Sequence, residues 1–377
     1  MLILGLICSK YNIFAPSVIT SGIWLVCLLL YILIGRNLYP LTSKFYFGIS
    51  IWVSCFSISS LIMQSLKVRE VKNKEPSQLI RNIYYYTSIA TFPLLLFQAY
   101  KVISIGFSHN WLYDLRAASV GLIKTIDPAD MSPFYVVIWL VGYLIELYYF
   151  SSKNKKRVIV LGVLYFLFAC ITVSKTSFLT LFISTTFILF SKKKIKTKHI
   201  LIGIVVLFFF MEILQGFRTN GKDRSVNRLN FISTYVLANM PAFETIQPNS
   251  SNYWGENTFR MFYAILYKFK LTDHEPINPI LPFIKVPIFT NTYTTLYPSF
   301  KDFGYTGIGI FALFIGSILG YFFKKLQRNN ILYLIIYACL LSALIVQFAN
   351  EVFFTFLSLN LKYIIIAIIP FIFKVKR

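Results

Sequence analysis

The sequence predicts an all-α polytopic integral membrane protein. It has about ten transmembrane helices, eleven if residues 1–16 add a span, and one large outward loop containing amphipathic helices. Three observations carry this. Hydrophobic residues make up 57% of the chain and aromatics 18%, too apolar for a water-soluble domain. The apolar runs are continuous, as in GIGIFALFIGSILGYFF and YIIIAIIPFIF, whereas strands of a membrane barrel alternate over roughly ten residues. The connections between runs alternate in their content of Lys and Arg.

The runs place spans at 17–35, 45–66, 82–106, 131–150, 158–173, 176–190, 200–216, 303–323, 331–348 and 352–373. The fifth and sixth are short and, joined by the tight SKT turn, read as a helical hairpin. The basic connections KVREVKNKEPSQLIR, SSKNKKR, SKKKIKTKH, KKLQRNN and the terminal KVKR fall on alternate sides in the count. They therefore share one face, the cytoplasmic one. The other face receives 36–44, 107–130, the turn at 174–176, the long segment 217–302 and FANE at 348–351. Long segments are exported largely regardless of charge, so the cations in 217–302 are compatible with that side. The chain divides into 1–216 with seven spans, the loop 217–302, and 303–377 with the last three spans.

The net charge of +23 would suggest a nucleic-acid partner in a soluble protein. Here its distribution reports topology, and no nucleic acid is expected. The five cysteines lie in apolar stretches without a CxxC pair, so they read as small core residues. MLILGLICSK lacks a basic n-region and a small-residue cleavage site, and it reads as retained. The sequence holds no GxxxxGK[ST], GxSxG or HExxH, which excludes the chemistries those motifs support. It also has no DxD, which disfavours metal-dependent nucleotide-sugar transfer.

A loop as long as 217–302 needs a reason. It opens with FRTNGKDRSVNR, residues 217–228, where Arg218, Lys222, Arg224 and Arg228 face one acid, Asp223. Arg224 and Arg228 are spaced to share one face of a helix. Arg260 follows in GENTFRMF, and Lys175 sits in the turn between the two short spans. Arginine offers a planar fork for phosphate, each charge-assisted bond being worth roughly 1.5–3 kcal/mol. The alternatives are lipid head groups or helix capping for the arginines, and snorkelling for Lys175. The acids on this face are Asp223, Glu244, Glu256, Asp273, Glu275 and Asp302, with His274 among them. TDHEP spaces Asp273 and Glu275 compatibly with a divalent metal, and equally with an ordinary loop. No metal is assigned. Segments 229–243 and 257–269 read as amphipathic helices lying on or between the spans.

ANMPAFE (238–244), WGENTF (254–259) and NTYTTLYPSFKDFGYTGIGI (291–310) together resemble the bacterial repeat-unit polymerases of the Wzy type, which make O-antigen and capsule. The carrying residues are Phe243 and Glu244; Gly255, Thr258 and Phe259; and Asn291, Tyr293, Thr294, Asp302, Gly304 and Gly307. Pro16 and Trp24 near the first span also fit. Lys175 departs from the Arg-Thr of many relatives, and the motif-level likeness covers mainly 170–310.

The resemblance implies a glycosyltransferase of the bacterial inner membrane, with the large loop periplasmic. Its donor is an oligosaccharide on undecaprenyl pyrophosphate. The growing chain passes to the acceptor sugar of another lipid-linked unit, and the leaving pyrophosphate supplies the energy, so no cofactor is expected. Partners are the lipid-linked oligosaccharide, membrane lipid and a chain-length regulator. Arg218, Arg224, Arg228, Arg260 and Lys175 then become pyrophosphate ligands, and Glu244, Asp302 and His274 candidate acceptors of the hydroxyl proton. Tyr253, Trp254, Asn291, Tyr293 and Tyr297 become sugar contacts, although aromatics also sit at membrane interfaces without catalytic cause. Asp302 has a second reading as a helix cap, and Gly304 and Gly307 as residues permitting close packing. Competing functions are an O-antigen ligase and a transporter or flippase of lipid-linked sugar. A transporter would carry charges along several mid-membrane helices, and here the clearest is Lys362.

Overall fold

The computed structural model describes residues 1–67, 75–108, 110–218, 232–278 and 280–373, the side chains at 208 and 215–218 excepted. In chain order the helices are α1 (Leu2–Cys8), α2 (Pro16–Ile34), α3 (Ser43–Ser65), α4 (Gln78–Ile105), α5 (Trp111–Ser119), α6 (Pro128–Met131), α7 (Tyr135–Tyr148) and α8 (Lys155–Ile171). They continue as α9 (Lys175–Ser191), α10 (Thr197–Arg218), α11 (Asn239–Glu244), α12 (Arg260–Lys268), α13 (Tyr297–Leu326), α14 (Ile331–Ile345) and α15 (Leu357–Ile372). Two short strands, β1 (Ile284–Lys285) and β2 (Phe289–Thr290), pair antiparallel. The fold is all-α.

A helix stands at each of the ten places where the sequence predicts one. Among the described residues, seven are long and apolar enough to cross a membrane. The helices α8, α9 and α15 have 17, 17 and 16 residues, short of the roughly 20 that a straight crossing needs. Helix α1, with seven residues, is too short to be an eleventh span.

The chain forms two compact units. The first comprises Met1–Val71, Asn227–Tyr333 and Ala343–Leu361, and the second Lys72–Val226, Leu334–Ser342 and Lys362–Arg377. In the first, α3 and α13 touch backbone to backbone through small residues. A Cβ at Gly316 would lie 2.3 Å from Ser59 Oγ and 2.5 Å from the Phe56 carbonyl, and one at Gly320 2.5 Å from the Ser60 carbonyl. Without water to drive helices together inside a bilayer, close packing of this kind supplies much of the association. The same unit has a polar tie. Trp24 and Trp52 donate their indole N–H to Gln347 Oε1 at 3.0 and 2.9 Å, and Gln347 Nε2 donates to Thr20 Oγ1 and the Leu344 carbonyl. All four valences of that buried amide are used. Its backbone continues the link, because Thr295 N donates to the Gln347 carbonyl and Thr294 N to the Ala349 carbonyl. The NTYT stretch is thereby fixed against residues 347–350.

Helix α13 begins at Tyr297, six residues before the expected span, because it contains a break. Gly304 sits at φ 61°, ψ −148°, a region open essentially to glycine alone. The turn brings the Ser299 carbonyl within 2.4 Å of where a Gly307 Cβ would be. Of the two amphipathic helices expected in the loop, α11 is buried: Asn239, Met240, Ala242 and Phe243 are fully covered. The Phe243 ring packs between Phe45 at 6.0 Å and Phe300 at 4.8 Å. Helix α12 has no buried residue and exposes Phe262, Ile265, Leu266 and Tyr267.

In the second unit, buried Glu146 on α7 accepts two bonds from Arg81 at 2.9 and 2.7 Å and one from Asn154 Nδ2 at 2.9 Å. Paired and hydrogen-bonded in this way, the charge is tolerated without water. Lys175 opens α9, where the Ser174 hydroxyl accepts from Ser177 N.

Candidate active site

The GENTF step folds as it does because Gly255 adopts φ +68°, where a Cβ would fall 2.5 Å from the Phe259 ring. The turn presents successive donors to Asp302. Its Oδ1 accepts from the Ser251 hydroxyl and from Asn257 Nδ2 at 2.6 Å, and its Oδ2 from Thr258 N at 2.7 Å and Thr258 Oγ1 at 2.6 Å. Asp302 thus binds a remote loop and does not cap its own helix. Both its oxygens are occupied.

Glu244 is occupied as well. Its two oxygens accept from Thr42 N and Thr42 Oγ1, each at 2.7 Å, which places a negative charge at the N-terminus of α3, where the helix dipole favours it. Lys44 Nζ donates to the Glu244 carbonyl at 2.7 Å and to the Ile246 carbonyl. It also lies 5.7 and 5.4 Å from the rings of Phe243 and Phe300. Nothing in the sequence links Thr42 and Lys44 to residues so far along the chain.

Beside this framework lies a cavity of about 60 Å³, with Asn257, Arg260, Asn278, Tyr297, Asn350 and Glu351 in its wall. Arg260 Nε donates to the Ile277 carbonyl at 2.5 Å, which orients the guanidinium. Among the described residues its terminal nitrogens make no hydrogen bond. Partial burial pulls its pKa below the ordinary value, yet an arginine stays charged at any physiological pH. Opposite in sign is Glu351, which is 7% exposed. It accepts from the backbone N–H of Phe353, Phe354 and Thr355 at 2.6, 3.0 and 2.8 Å and from Thr355 Oγ1. Burial raises the pKa of Glu351, and those donors partly oppose the rise. Glu351 is missing from the acids that the sequence puts forward, where FANE stands only as a short outer connection. The signal available was a lone acid directly after a long apolar run.

His274 and Glu256 meet across the loop, Nε2 to Oε2 at 3.3 Å. Glu256 is 4% exposed and accepts from Asn252 N at 3.0 Å. The imidazole lies against Tyr253, ring centres 3.9 Å apart, with the Tyr263 ring edge-on at 5.4 Å. Trp254 is 74% exposed and stacks on Phe259, leaving an open indole face. Tyr293 differs from expectation. It is 3% exposed and its hydroxyl donates to the Pro282 carbonyl, so its ring face is closed to a sugar. Asn291 is half-buried.

The sequence model of the O-antigen polymerase family matches residues 12–350. The chain belongs to this family. No curated protein and no solved structure matches it. As an O-antigen polymerase it is a multi-pass membrane protein that joins glycan units, and the substrates of the family are lipid-linked oligosaccharides. The match takes in the GENTF loop, Asp302, His274 and Arg260 and stops one residue before Glu351. Of the other cations expected to serve the polymerase, Arg224 and Arg228 lie outside the described residues, and Arg218 is described in its backbone alone. Lys175 belongs to the second compact unit and Arg260 to the first.

Proposed function

We propose that this polymerase acts at the periplasmic face of the inner membrane, moving the growing glycan from undecaprenyl pyrophosphate to the acceptor sugar of a second lipid-linked unit. The observation that supports this reading best is the cavity lined by Arg260. A guanidinium oriented by the Ile277 carbonyl, its terminal donors free of protein partners among the described residues, suits a pyrophosphate. Preorganised there, it favours the charge that grows on the leaving group as the anomeric bond breaks. Arg218, Arg224, Arg228 and Lys175 are further cations for donor or acceptor. Asn257, Asn278, Asn350 and Tyr297 supply hydroxyl partners at the cavity wall, and Tyr253, Trp254 and Asn291 contact sugar outside it. Pyrophosphate departure provides the driving force, and no metal enters this scheme. Glu244 and Asp302, the acids favoured from sequence, hold α3 and the GENTF loop in place with oxygens already engaged. A chain-length regulator is the protein partner.

Complementation tests the reading. In a polymerase-deficient host that makes this protein's own repeat unit, the wild type should restore a glycan ladder. Arg260→Ala at matched membrane level should leave single repeats, since removing one such donor costs on the order of 10²–10³ in rate. No ladder from the wild type, with lipid-linked units present, would end this reading.

A further inference from the structure

We propose that the Glu256–His274 pair is the proton-accepting device of the site, with His274 the base and Glu256 its positioning residue; the inference rests on the polymerase reading above. The two ring nitrogens of His274 have different surroundings. Nε2 is buried and lies 3.3 Å from Glu256 Oε2, close but without hydrogen-bond alignment to any partner. Nδ1 is not enclosed in this way, and among the described residues it makes no hydrogen bond. A carboxylate beside one nitrogen favours the tautomer that carries its proton there, which leaves a lone pair on the other. The same carboxylate stabilises the imidazolium formed when that lone pair takes a proton.

The ring is held for this work. Tyr253 covers one face and Tyr263 its edge, while Glu256 is fixed in turn by Asn252 N. The titratable and charged groups facing the imidazole are Glu256 and Tyr253 from the GENTF loop, Tyr263 from α12, and Asp273 and Glu275 beside it in sequence. Glu256 is followed directly by Asn257, which lines the Arg260 cavity. The positioning residue and one wall residue of the anion cavity therefore share a short loop, and that loop is anchored to Asp302. Asp302, with each oxygen accepting at least two bonds, would have to surrender one to accept a proton, whereas His274 Nδ1 surrenders none.

In the step, Nδ1 takes the proton of the acceptor hydroxyl as that oxygen bonds to the anomeric carbon of the donor. The bond from this carbon to the pyrophosphate oxygen breaks, and its electron pair leaves with the lipid pyrophosphate. The imidazolium then returns its proton to water.

The test uses purified full-length protein in liposomes, supplied with lipid-linked repeat units extracted from a polymerase-deficient strain of the same glycan type. Initial rates are measured from pH 5 to 9. The wild type should lose activity toward acid pH, and His274→Gln should lower kcat by about 10²–10⁴ with KM unchanged and that acid limb gone. Glu256→Gln should lower kcat about 10-fold or more with the limb retained, and Glu256→Asp should recover part of the loss. Wild-type kcat and pH profile in His274→Gln would overturn the inference while leaving the polymerase in place. No polymerisation by the wild type would remove both. If His274→Gln does not fold, a His109→Gln/His199→Gln protein keeps His274 as its sole histidine. Diethyl pyrocarbonate should then abolish its activity in step with modification of one residue. Full activity after complete modification would overturn the assignment.

Discussion

Thr258 grips one oxygen of Asp302 twice, with its backbone N–H at 2.7 Å and its hydroxyl at 2.6 Å. With Asn257 and Ser251 on the other oxygen, this makes Asp302 the anchor of the loop that carries Glu256, Asn257 and Arg260.

Asp302→Asn should therefore release the loop without unfolding the membrane helices. An amide can direct a donor at donors, and each charge-assisted bond lost is worth about 1.5–3 kcal/mol. Faster hydrogen exchange confined to residues 251–259, with loss of the glycan ladder and normal membrane insertion, is the expected result. Thr258→Val, which removes one bond, should give a milder version.

Gln347→Leu should lower stability by about 2 kcal/mol or more, because two buried indole N–H groups lose their acceptor and each costs about 1–3 kcal/mol. Thermal unfolding followed by size exclusion in detergent would read this as a lower midpoint, together with changed fluorescence of Trp24 and Trp52. An unchanged midpoint would mean those indoles find other partners.

Gly320→Val should separate α3 from α13, since even a Cβ there would lie 2.5 Å from the Ser60 carbonyl. Gly309→Ala is the control. Its nearest neighbour would be 3.5 Å from the new Cβ, an ordinary contact. Yield of monodisperse protein should fall steeply for the first and hardly change for the second.

Glu351 gives a pH prediction. Burial raises its pKa above the ordinary 4.5, so the folded protein holds this proton more tightly than the unfolded chain. The stability it contributes is fully present below the ordinary carboxylate value and is lost as pH rises through the folded value. Glu351→Gln removes that slope. The thermal midpoint of the wild type, measured relative to the variant, should thus decline as pH rises above about 4.5, whatever constant offset the amide introduces. Parallel curves would refute the assignment.

The site was partly legible in the sequence. Arg260, His274 and Asp302 drew attention because cations, a rare histidine and acids stood in a long segment between apolar runs. Glu256 reads there only as one acid among several, and Glu351 only as part of a short connection. Their importance depends on burial and on what the fold sets beside them, His274 against Glu256 and the Arg260 cavity against Glu351. Tyr293 reads as a sugar contact in the sequence for the same reason: residue type and neighbourhood do not reveal which side of a ring is covered.

The helical membrane architecture, the places of the long helices among the described residues and the family are legible in the linear chain. These follow from run length, from hydropathy and from local motifs, all of which are properties of contiguous residues. Three pairings come from packing alone: Glu244 holds Thr42, the N-cap of α3; Asp302 binds a loop instead of its own helix; and His274 meets Glu256. Such pairings are set by how the helices pack through Gly316 and Gly320 and by the break at Gly304. The distances they create connect residues that the chain keeps far apart.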